Sequence, residues 1–94
     1  MQGGNELIQA LYLCGEDCSS TAIEAFAAAN AGEIELAHKK LKEADDSFNY
    51  GRAIQLSIIK NMDGRENREK VVAENYLLLA MNMNDMIREY VKRL

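Results

Sequence analysis

No proline occurs anywhere in these 94 residues, and apolar or small side chains recur every three or four positions through three long blocks. Without proline, nothing removes a backbone N–H donor or clashes with the preceding turn, so each block is free to run on as one helix. A three-and-four spacing gathers the apolar side chains on a single helical face, which then has to be covered. The expectation is an all-α chain forming a single helical domain over residues 1–94.

The first block predicts a helix over about 5–31. Asn5 is a candidate N-cap, and Glu6 stands beside the positive end of the helix dipole. Its stripe is Ile8, Leu11, Cys14/Gly15, Cys18, Ala22, Ala25/Phe26 and Ala29, and Ala31-Gly32 supplies the stop. The second helix is expected over about 33–62, with Glu33 at its start and a stripe of Ile34, Ala37, Leu41, Ala44, Phe48, Gly51, Ile54/Gln55, Ile58 and Met62. Gly51 marks either a close helix approach or a weak point. Asp63-Gly64 reads as a turn, and the third helix follows over about 65–93. Residues 1–4 are expected to form an unstructured leader.

The third helix carries two apolar stripes. One is Val72, Tyr76, Leu79, Met83, Met86 and Tyr90; the other is Leu77, Ala80/Met81, Ile87, Val91 and Leu94. A surface helix of an isolated bundle needs only one. At roughly 1.5 Å per residue, helices of this length reach about 40–45 Å. Short connections then imply an antiparallel, up-down-up three-helix bundle: a slender rod with a thin core. The second stripe predicts that copies of the rod pack together as a symmetric oligomer.

A formal net charge of -4 leaves no basic stripe for nucleic acid. No apolar run approaches the ~20 residues that cross a bilayer, and no signal peptide opens the chain, so a cytoplasmic protein without direct membrane insertion is expected. Cys14 and Cys18 lie four apart on the buried stripe, a spacing that suits a disulfide poorly and, with no histidine nearby, makes a thin zinc site. They are expected to be buried thiols. No cofactor is expected.

Three segments carry a resemblance. Glu24-Ala25-Phe26 leads into Ala31-Gly32-Glu33-Ile34 and Ala37; Phe48-Asn49, Gly51, Gln55 and Ile58-Ile59 follow; then Val72-Ala73-Glu74-Asn75-Tyr76-Leu77-Leu78. In this order and spacing, from about residue 7 to 94, the chain resembles the lactose/cellobiose-type enzyme IIA component of the bacterial sugar phosphotransferase system. The resemblance implies a homotrimer of three-helix rods, hence a nine-helix assembly with the third helices around the axis. It also implies a phosphoryl-carrier transferase component, whose histidine accepts phosphate from HPr and passes it to a IIB component.

The sequence departs from the family at the positions that matter. Val72 stands where the resemblance places the phosphoryl-accepting histidine, with Glu74 and Tyr76 as its neighbours. A neutral imidazole nitrogen is a nucleophile near neutral pH, whereas valine has no lone pair. Asn75 stands where the resemblance places an axial aspartate associated with a metal ion, and a neutral amide binds divalent cations less well than a carboxylate. Arg52 replaces a further histidine of the second helix. Together these read as a retired site with no intact catalytic residue and no metal.

Other candidates are weaker. His38, the only histidine, stands among Lys39, Lys40 and Lys42 and is expected on a solvated flank rather than as a relocated acceptor. Acyl phosphate on Glu74 or Asp85 would move the chemistry around the helix. Asn75, Leu78 and Asn82 share one face and are expected at the oligomer axis, where buried asparagines fix register. Glu43, Asp45 and Asp46 are expected as a solvated acidic patch, and Met62, Met81, Met83 and Met86 as core filling. The resulting function is a lactose/cellobiose IIA-like protein deficient in phosphotransfer, possessing a regulatory role toward HPr or a IIB component. The alternative is a helical oligomerisation or scaffold module unrelated to sugar transport.

Overall fold

The computed structural model describes the backbone of residues 2–61 and 68–94 and the side chains of 6–60 and 68–94. Three helices fill it: α1 (Gln2–Asn30), α2 (Ile34–Asn61) and α3 (Arg68–Lys92). They pack up-down-up into a rod of 48 × 16 × 15 Å. Met62, the expected Asp63-Gly64 turn and the expected helix start at 65 lie outside the described residues. At the other end, α1 already runs from Gln2, so Asn5 lies inside the helix rather than capping it, and residues 2–4 are helical rather than a leader. With no proline there, helical bonds propagate past the expected start.

The α1–α2 junction is set by glycine. Gly32 adopts φ 82°, the left-handed region that an L side chain disfavours. The Glu33 amide then donates to the Ala28 carbonyl at 2.8 Å and the Gly32 amide to Ala29 at 3.0 Å, the paired bonds of a Schellman stop. One residue on, the Glu33 carbonyl accepts from the Ala37 amide and opens α2.

The core is built largely from small side chains, so the helices approach closely. One cluster at the α1–α2 turn end holds Cys18, Ala22, Ala25, Leu41, Ala44 and Val91 among its members; a second at the other end centres on Leu11, Cys14, Ile58 and Leu77. Phe48 packs against both. A Cβ on Gly51 would come within 2.8 Å of Leu77 Cδ2 and 3.1 Å of Cys14 Cβ, which resolves Gly51 as a close approach of all three helices. Gly15 has the same use at the α1–α3 contact: a Cβ there would meet the Tyr76 ring at 3.0 Å and the Leu77 amide nitrogen at 3.3 Å.

Helix α3 buries Ala73, Leu77, Ala80, Asn84, Ile87 and Val91, which is the second of the two expected stripes with Ala73 and Asn84 added and without Leu94, which is exposed beyond the helix end. Val72, Leu79 and Met86, from the first stripe, are 53, 65 and 71% exposed. The two sides of α3 are thus both apolar, and one is uncovered. Met83 fills core as expected, whereas Met86 does not. Asp45 corrects the expected acidic patch: it is half-buried between α2 and α3, pairing with Arg88 at 2.6 Å and accepting from Asn84 Nδ2 at 2.9 Å. Asp46 does stay on the surface, 3.5 Å from Lys42.

Candidate functional site

Val72 lies one turn into α3, where that helix and α1 diverge enough to leave a groove of about 530 Å³. Ile8, Tyr12 and Leu13 form its α1 side, and Arg68, Val72 and Ala73 its α3 side. The walls are mostly hydrocarbon, with Glu16 and Glu69 adding carboxylates. Below it, the Tyr12 and Tyr76 rings stack at 4.8 Å with a 38° tilt. This stack depends on Gly15, whose bare Cα gives the Tyr76 ring room.

The expected neighbours of Val72 separate in space. Tyr76 turns toward α1 and supports the groove. Glu74 turns toward α2, where its carboxylate accepts from Gln55 Nε2 at 2.8 Å and lies 3.6 Å from Lys70 Nζ. Asn75, Leu78 and Asn82 are all exposed on the uncovered side of α3, opposite its core stripe. Arg52 is exposed on α2 with its guanidinium carbon 5.8 Å from the centre of the Phe48 ring, a cation–π contact.

His38 is exposed and far from the groove. The Gln55–Glu74 and Asp45–Asn84 pairs fix the antiparallel register of α2 against α3. In that register His38 stands level with Val91, roughly 28 Å along the rod from Val72 at the helical rise per residue. It cannot stand in for an acceptor at the groove. Asp85 is exposed and pairs with Arg88 at 3.2 Å.

Both cysteines are free and buried. Burial, reinforced by Asp17, pushes the Cys14 thiol up. Burial first, then Asp45 and Asp85, pushes the Cys18 thiol up to about 11. A high thiol pKa leaves little thiolate at neutral pH and hence little nucleophile. The implied axial metal does not fit either. Asn75 offers a neutral amide, and no group of three or more histidine, cysteine or acidic side chains is placed to hold a cation among the described residues. No helix among the described residues is long and apolar enough to cross a membrane.

The polar network of Asp45, Asn84 and Arg88 escaped the sequence reading. Asn84 is 0% exposed, and its Oδ1 has no hydrogen-bond partner among the described residues. A signal did exist: Asn84 lies seven residues from both Leu77 and Val91 on the same stripe, so the helical period puts it in the core.

Comparison with known proteins agrees with this architecture. Residues 8–94 match the family described as the lactose/cellobiose-specific IIA subunit of the phosphotransferase system. The chain is 33% identical over 91 residues to the lichenan-specific phosphotransferase enzyme IIA component of Bacillus subtilis strain 168, covering 93% of this chain and 83% of that protein. No solved structure matches significantly. With nearly all of the rod inside the match, the chain belongs to the lactose/cellobiose-specific IIA family of the phosphotransferase system.

Proposed function

We propose that this chain is a cytoplasmic, IIA-like homotrimer that docks on HPr or a IIB component without carrying a phosphoryl group, and so acts as a regulator rather than a relay. One observation carries the reading: Val72 stands in the α1–α3 groove at the position where the family resemblance calls for a nucleophilic imidazole. A phosphoryl acceptor needs a lone pair that can attack phosphorus and a bond labile enough to release it again. An isopropyl group supplies neither. The groove keeps an apolar, shaped surface, which is what a docking partner contacts, while the chemistry is gone.

The trimer is supported by the uncovered side of α3, where Leu78, Leu79 and Met86 stand exposed. A small domain with a thin core gains stability by covering such a face with copies of itself. The register of His38, at the far end of the rod, supports loss of the acceptor rather than its relocation.

The test is incubation of the full chain with phosphoenolpyruvate, enzyme I, HPr and labelled phosphate, with calorimetric titration of HPr and a IIB component in parallel. The expected result is binding without label. Acid-labile label on the wild-type chain would overturn the loss of transfer, and absence of binding to either partner would favour the scaffold alternative.

A further inference from the structure

The groove at Val72 carries its charge unevenly. Helix α1 holds Glu6, Glu16, Asp17 and Glu24 and no lysine, arginine or histidine, so no cation of its own offsets them. Glu24 is paired with Lys40 of α2 at 3.0 Å. Glu16 lines the groove and has no hydrogen bond or ion pair among the described residues. On the α3 side, Arg68 and Glu69 are adjacent in the chain and opposite in sign. The unbalanced charge of the site is therefore the Glu16 carboxylate.

We propose that this groove binds a small amphipathic organic cation, an ammonium group carried on an aryl or alkyl chain. The hydrocarbon part lies along Ile8, Leu13, Val72 and Ala73, and the ammonium sits by Glu16 beside the Tyr12 ring. The whole site is contained in one rod, so it stands whether or not copies assemble or a protein docks on the groove.

Three observations select this class of ligand. A groove of about 530 Å³ is in the range of small-molecule sites, and its mostly hydrocarbon walls favour a chain that water holds poorly. Tyr12 and Glu16 are one turn apart and both line the groove. A helical side chain leans toward the N-terminus, so the Glu16 carboxylate reaches back toward Tyr12. A cation placed there meets a carboxylate and an aromatic ring together, and its attraction to the ring grows as water is excluded. The Tyr12 ring is steadied by its stack on Tyr76 at 4.8 Å. An anion fares worse, because Glu16 repels it and Glu69 offsets the Arg68 guanidinium. An uncharged chain gains the walls alone.

The test uses three molecules of nearly one shape: phenylbutylamine, phenylbutanol and phenylbutyrate, which are positive, neutral and negative at neutral pH. Each is titrated into the isotope-labelled full chain at low salt, with amide shifts reporting both affinity and place. The amine is expected to bind at about 1 mM and about fivefold more tightly than the alcohol, with the acid weakest. The shifts are expected at residues 8–16 and 68–73, and added salt should weaken the amine but not the alcohol. Glu16→Gln is expected to lower the amine to the affinity of the alcohol and leave the alcohol unchanged, a split that a merely structural effect would not produce. Val72→Trp is expected to fill the groove and weaken all three. Equal affinity of amine and alcohol, tighter binding of the acid, an amine preference that survives Glu16→Gln, undiminished binding in Val72→Trp, or shifts centred away from the groove would overturn the cation site. None of these readouts uses phosphoryl label or a protein partner, so failure here leaves the proposed function standing.

Discussion

The Arg88 guanidinium reaches the Asp45 carboxylate at 2.6 Å across the α2–α3 interface, while the other oxygen of the same carboxylate accepts from buried Asn84 at 2.9 Å. Of the three helix pairs, α2 and α3 share the least contact, so this polar joint and the Gln55–Glu74 bond do much to set their register. Asp45→Ala leaves the Asn84 amide buried without its acceptor, which costs about 1–3 kcal/mol. The expected outcome is a loss of that size in urea unfolding, with Arg88→Ala losing less because its side chain is partly solvated. A combined Asp45→Ala/Asn84→Leu variant should recover part of the loss, since no orphaned amide remains. Equal destabilisation by the single and double variants would show that the joint is not coupled.

How much of this was legible beforehand follows from what sequence periodicity encodes. The three-and-four rhythm fixes which face of each helix is buried, and the stripe from Ile8 to Ala29 and the one from Ala37 to Ile58 are the observed cores, with Phe26 turned out. Periodicity also exposed the two-sided character of α3. It does not encode pairings between side chains on different helices, so Asp45 read as one acid among surface acids. Nor does it encode the two glycine contacts in full. Gly15 stands on the α1 stripe beside Cys14, and its use emerges only when the Tyr76 ring is seen against it. The groove at Val72 needed both α1 and α3 in place. The family resemblance located the residue; the fold supplied its walls.

Gly51 offers a direct test of close packing. Alanine in a helix interior is intrinsically better than glycine by about 1 kcal/mol. Here the new methyl would sit 2.8 Å from one Leu77 methyl, 3.0 Å from the other and 3.1 Å from Cys14 Cβ. Leu77 can rotate, but the Cys14 Cβ is fixed to its backbone. Overpacking of this kind costs typically ~1–3 kcal/mol, so Gly51→Ala is expected to lower the melting temperature despite its better propensity. An unchanged or raised melting temperature would mean that the helices separate there at no cost.

The Cys18 thiol sets an alkaline limit. Its pKa is raised from 9.0 to about 11 in the folded protein, first by burial and then by Asp45 and Asp85. The folded state therefore holds the proton more tightly than the unfolded chain. This contribution is fully present below pH 9 and is lost as pH rises from 9 through 11. At pH 10 the loss amounts to about 1 kcal/mol by linkage. Urea unfolding at pH 7.5 and pH 10 should show this difference in wild type and a smaller one in Cys18→Ala. The same burial predicts that a thiol reagent modifies neither cysteine in the native protein at pH 7.5 and both after unfolding.

Two charge insertions address the uncovered face of α3. Leu79 and Met86 are among its most exposed apolar side chains, at 65 and 71%, and are members of neither core cluster. Leu79→Glu and Met86→Glu should leave helical content by circular dichroism near that of wild type, because an exposed substitution changes the fold of the single rod by only about 0.5 kcal/mol. In the proposed trimer three carboxylates would meet near one axis and repel, so light scattering should report a monomer for both variants and, if the proposal holds, a trimer for wild type. Retention of the wild-type mass by both variants would show that copies meet through another surface.

Restoring the missing nitrogen is the strictest test of the groove. Val72 is about half exposed, so Val72→His introduces a ring without opening a hole in the core or burying a charge. The imidazole would join Tyr12 and Arg68 in lining a groove already shaped by α1 and α3. If Val72 alone separates this chain from a carrier, Val72→His should take up acid-labile, alkali-stable label from phospho-HPr, while wild type and His38→Ala remain equally unlabelled. Label on wild type that disappears in His38→Ala would instead make the far end of the rod the reactive one. A Val72→His protein that binds HPr yet stays unlabelled would mean that the loss extends to Asn75 and Arg52, and pairing Val72→His with Asn75→Asp then asks whether the axial carboxylate is what the imidazole lacks.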